Sequence, residues 1–207
     1  MTALAAIRKY LVVRHDTALA PRTDIEEADV RTHVADKMYG SEVAAKLPMG
    51  ARIAAAVTRI AMGFYFFWAF IDKTFGLGFS TPAEGAWVNG GSPTAGYLSG
   101  VEGPFGSFFN GLAGGEWIDW IFMIGLLGIG LALLLGIGMR IAAVSATVML
   151  ALMYLASLPL VTNPILDSHI TQALAIILVT VIGAGSIAGL GAAWQRLPVV
   201  QHNRWLI

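Results

Sequence analysis

The residues that could do chemistry stand at the ends of two separate apolar runs. Lys73 closes the first long apolar run with Asp72 beside it, while Asp167 and His169 open the last one. An ammonium can polarise a carbonyl, imidazole exchanges protons near neutral pH, and a neighbouring carboxylate can help move that proton. If the two runs are adjacent helices, Lys73, Asp72, Asp167 and His169 can converge at one membrane edge. Each has a plainer role. Asp167 sits where a carboxylate caps free N–H groups at a helix start, and His169 can be an interfacial hydrogen-bonding side chain. Arg59 lies 14 residues before Lys73, about 21 Å along a helix at 1.5 Å per residue. It therefore belongs to the opposite edge, either snorkelling to that surface or paired with a carboxylate or a quinone.

Other chemistries lack their residues. The chain has no cysteine, which rules out disulfides, thiolate metal sites and iron–sulfur clusters in this subunit. Of the four histidines only His169 adjoins an apolar run, so paired axial ligation of a membrane haem has no support. No HExxH, Walker, GxSxG or complete dinucleotide-binding pattern occurs, and no metal site is expected.

These groups must be positioned by membrane helices. Of 207 residues, 57% are hydrophobic and 13% charged, with mean hydropathy +0.70. A soluble domain carries roughly twice that share of charge. The expected fold is an all-α integral membrane protein, a bundle of four transmembrane helices over 51–71, 117–138, 141–161 and 169–190. Each is long enough to cross a hydrocarbon core about 30 Å thick. Residues 1–50 read as a charged, partly helical tail, retained because no h-region follows Arg8, Lys9 and Arg14. Residues 191–207 form a second tail.

Basic residues near the span ends set the orientation. Lys37, Lys46, Arg52, Arg140, Arg196 and Arg204 fall on one side, whereas Lys73 is alone on the other with six carboxylates. Both termini are expected in the cytoplasm of a plasma-membrane protein. The 13 basic and 13 acidic residues balance, giving no field directed at nucleic acid. The segment 72–116 is rich in glycine and aromatic residues and is expected to be a structured outer cap with a short helix near 94–112. Glycines in spans two and four, including Gly185 and Gly189, mark close helix packing or a dimer face.

The string TRIAMGFYFFWAFIDKTFGLG, with Arg59, Gly63, Trp68 and Lys73, resembles the first helix of the DoxX family. The segments NGGSPTAGYLSG, NPILDSHITQALAIILV and GAGSIAGLGAAWQRLP extend that resemblance over roughly residues 55–200. The long outer loop is similar to the DoxD-like branch, the membrane subunits of thiosulfate:quinone oxidoreductase. The resemblance implies a four-helix membrane subunit of a quinone-linked assembly.

The expected function is a membrane subunit of a redox or respiratory complex. Lys73, Asp167 and His169 would serve a quinone headgroup at the outer edge, with Lys73, His169, Trp68, Phe105 and Phe109 lining it. A non-catalytic accessory subunit packing on a larger membrane enzyme is the alternative. A transporter is third, since broken spans with midplane polar residues are not evident.

Overall fold

The computed structural model describes residues 41–207 apart from Thr162 and Pro164. The expected tail over 1–50 therefore lies largely outside the described residues. The described residues are all-helical, with no strand. They comprise α1 (Ser41–Lys46), α2 (Met49–Phe75), α3 (Ala95–Ser99), α4 (Gly106–Asn110), α5 (Glu116–Leu135), α6 (Met139–Ala156), α7 (Ser168–Val181), α8 (Gly191–Trp194) and α9 (Pro198–His202), with short 3-10 turns between some of them.

Three helices, α2, α5 and α6, are long and apolar enough to cross a membrane. Their outward faces carry Ile53, Val57, Phe64, Ile121, Ile124, Val144 and Val148, the surface a helix needs when lipid is its solvent. Facing inward, Phe66, Met123, Leu126, Ile129, Leu133, Ala146 and Leu150 form one core with Ile176 and Val179 of α7. α2 packs most extensively on α5, and α7 packs on α6 and α2. Gly63 makes the first contact possible, because a Cβ there would lie 2.7 Å from the Leu134 amide nitrogen.

The fourth expected span is helical over only part of its length. α7 stops at Val181, Gly183 turns with φ +75°, and 182–190 run as a 3-10 turn and irregular chain. Fourteen helical residues reach about 21 Å, short of a hydrocarbon core. The apolar run continues, but its glycines admit a left-handed turn and helix continuation is lost. Gly185 and Gly189 therefore share no helix face. The α5–α6 turn also moves, to Gly136–Gly138, and α6 starts at Met139. In place of one helix near 94–112, two five-residue helices flank a break at Gly100–Phe105.

Candidate functional site

The end of the molecule bearing the 76–115 loop is fastened by two buried carboxylates, one on each of α2 and α5. Asp72, in the last turn of α2, accepts hydrogen bonds from the Phe79 amide (3.3 Å), the Ser80 amide (2.9 Å) and Ser80 Oγ (2.6 Å). Asp119, 6% exposed in the first turn of α5, accepts from Ser92 Oγ (2.9 Å), the Thr94 amide (3.1 Å) and Thr94 Oγ1. A carboxylate taken out of water needs such donors, and here they come from the loop. The loop is thus held at both ends by charge-assisted bonds.

Lys73 lies between these anchors. Its acidic neighbours are Asp72 and Asp119, and its Nζ stands 6.0 Å from the centroid of the Phe122 ring. Among the described residues the ammonium makes neither a hydrogen bond nor an ion pair. Both Asp72 oxygens and Asp119 Oδ1 accept from the loop, and the ammonium carries three donors that can serve another acceptor.

Asp167 and His169 sit at the start of α7. Asp167 is the N-cap: Oδ1 accepts from the Ile170 amide at 3.1 Å, while Oδ2 lies 2.5 Å from His169 Nδ1. Capping and histidine orientation are therefore combined in one carboxylate, and His169 Nε2 is the ring nitrogen left for other partners. Among the described residues no hydrogen bond or ion pair joins either residue to Lys73. Burial disfavours the Asp167 carboxylate, but the bonds from His169 and the Ile170 amide outweigh it and lower its pKa. A depressed carboxylate pKa contributes stability that is complete above the ordinary Asp value near 4 and is lost as pH falls below it. Asp167→Ala is thus expected to cost about 1 kcal/mol at pH 7, with the gap to the parent closing below about pH 4. Thermal unfolding from neutral into the acid range checks this, and a gap that does not narrow as pH falls below about 4 would refute it.

The aromatic residues divide into separate groups. Trp68 packs edge-on against Phe79 (5.2 Å) and at a shallow tilt against Phe64 (5.8 Å). Phe109, 5% exposed, belongs to a different cluster with Leu98, Val101 and Ala156, and the partly exposed Phe105 precedes α4. Trp87 and Trp120 meet at 4.7 Å, joining the loop to α5.

Arg59 contradicts the snorkelling expectation and the expected carboxylate partner. Its side chain is 0% exposed, and its guanidinium donates to four carbonyls: Leu133 O (2.6 Å) and Leu134 O (2.9 Å) from Nη1, Ile187 O (3.2 Å) and Ala188 O (3.0 Å) from Nη2. The last four carbonyls of a helix have no partner inside it. In α5 all four are satisfied: Ala132 O by the Gly136 and Ile137 amides, Leu133 and Leu134 by Arg59, Leu135 by the Leu190 amide at 2.7 Å. One guanidinium thus caps the negative end of α5 and clips the irregular segment after α7 to it. Irregular backbone among apolar helices survives only when satisfied in this way.

A cavity of roughly 30 Å³ lies beside this clip, lined by Gly136, Met139, Arg140, Thr180, Ser186 and Trp194. It is large enough for a water or two and too small for a quinone headgroup. Comparison with known protein families, characterised proteins and solved structures finds no match to this chain.

Proposed function

We propose that this chain is a multi-pass subunit of a quinone-linked redox or respiratory complex in a bacterial plasma membrane, of the DoxX type that its sequence resembles. Four passes in a bundle put both termini in the cytoplasm. In that arrangement α7 and the irregular chain after it complete the fourth crossing. The charge census supports the orientation: Lys73 is the sole basic residue among the loop-end groups, opposite Lys46, Arg52, Arg140, Arg196 and Arg204.

The observation that carries the quinone reading is the state of Lys73. An ammonium at the rim, beside an aromatic ring and next to two carboxylates that accept from the loop through both Asp72 oxygens and Asp119 Oδ1, is a donor available to a neutral acceptor. A quinone carbonyl is such an acceptor, and Lys73 would polarise it. His169, its Nδ1 held by Asp167, would exchange the accompanying proton through Nε2. Trp68, Phe105 and Phe109 would shape the loop around the headgroup, and the isoprenoid tail would lie along the lipid-facing helices.

Lys73→Gln is expected to weaken binding of a short-chain quinone by about tenfold, the worth of one charge-assisted hydrogen bond. The purified protein should keep its thermal midpoint. Equal quinone affinity in the parent, Lys73→Gln and His169→Ala proteins would overturn the assignment.

A second reading, a non-catalytic accessory subunit, is favoured by a different observation. Arg59, Asp72 and Asp119 are all spent on holding backbone or loop, which is scaffold chemistry. Purification of the native complex discriminates: contact with a catalytic subunit and no quinone at Lys73 would favour the accessory role.

A further inference from the structure

The end of the molecule opposite the loop presents a surface that the quinone reading does not use. From Ser168 to Ile207 the sequence contains no aspartate or glutamate. The described part of this end carries exposed Lys46 and Arg196 and the half-buried Arg52. The C-terminal segment is tied down at a definite level: Trp194 Nε1 donates to Leu206 O at 2.7 Å, and the Arg140 amide, in the first turn of α6, donates to Ile207 O at 3.2 Å. That level is where α5 ends and α6 begins, the edge of the apolar layer. In α9, Val200 is fully buried against the protein. Leu197, Val199 (57% exposed) and Trp205 (61% exposed) point away from it.

Apolar side chains and an indole held at the edge of a hydrocarbon layer, with Lys46, Arg52 and Arg196 at its rim, fit one environment. Indoles favour the headgroup level, short amphipathic segments lie in its plane, and Lys and Arg beside it attract anionic lipid. We propose that the segment 191–207 lies flat in the headgroup layer and that Lys46, Arg52 and Arg196 recruit anionic phospholipid to this end. The inference rests on the membrane reading and is independent of the quinone.

The chain has no cysteine, so one introduced thiol is an unambiguous reporter. Full-length Val199→Cys, with Trp205→Cys as a second reporter, would be labelled with a hydrophilic maleimide in detergent and in nanodiscs of phosphatidylcholine alone or with phosphatidylglycerol. Labelling is expected to slow at least tenfold from detergent to the phosphatidylglycerol discs, with an intermediate rate in phosphatidylcholine. Adding Lys46→Gln and Arg196→Gln should bring the two disc rates together. Equal rates in both discs, or a difference that survives the two substitutions, would overturn the role of charge. Slow labelling in detergent too would show that protein, not lipid, covers the segment. Failure to enter discs at all would instead count against the membrane reading.

Discussion

Arg59→Met is expected to destabilise the protein by about 4 kcal/mol, because it leaves buried carbonyls without donors. Four acceptors lose their partner at once, at Leu133, Leu134, Ile187 and Ala188. Methionine fills much of the volume, so the loss reports hydrogen bonding more than cavity formation. Arg59→Lys should cost about half as much, since a compact ammonium cannot span two pairs of carbonyls as the planar fork does. Local exchange should follow: the Leu190 amide, bonded to Leu135 O, loses protection when the clip opens. Denaturant unfolding in micelles and hydrogen exchange at 182–190 measure the two effects. A methionine variant within 1 kcal/mol of the parent would contradict the clip.

Gly136→Ala should cost about 3 kcal/mol, combining a left-handed backbone with overpacking. Gly136 has φ +74°, and a Cβ there would lie 2.6 Å from Gly185 O and 2.9 Å from Arg59 Nη1. Neither neighbour can retreat: one is backbone and the other is held by its carbonyls. Gly128 is the internal control, lying in the interior of α5 with no heavy atom within 4 Å of the added Cβ. Gly128→Ala should be neutral or stabilise by up to about 1 kcal/mol through helix propensity. Equal unfolding midpoints for the two alanine variants would show that the Gly136 turn is not tightly packed.

The long helices were legible because apolar length is a local property. α2, α5 and α6 follow runs that lipid demands, and α2 and α5 stop at Gly76 and Gly136, both in left-handed caps. The end of α7 was not, since the apolar run continues past Val181 and only the conformation of Gly183 breaks it. Arg59 was visible as an expensive residue, but its partners lie 74 to 129 residues away and are backbone carbonyls, which have no letter in a sequence. Asp72 and Asp119 stood out as charges of the outer rim. Their work as loop anchors had a faint signal in the hydroxyl residues Ser80, Ser92 and Thr94, which alone does not say which acid they serve. Phe122, the ring beside Lys73, sits inside an apolar run and carried no signal at all.

The most direct test of the quinone reading is photolabelling of the full-length protein in nanodiscs with a short-chain azidoquinone, followed by peptide mapping. Adducts are expected within 66–75 and 119–126, competed by unmodified quinone and lost in Lys73→Gln. Adducts spread over the lipid-facing helices, or undiminished by competitor and by the substitution, would contradict it.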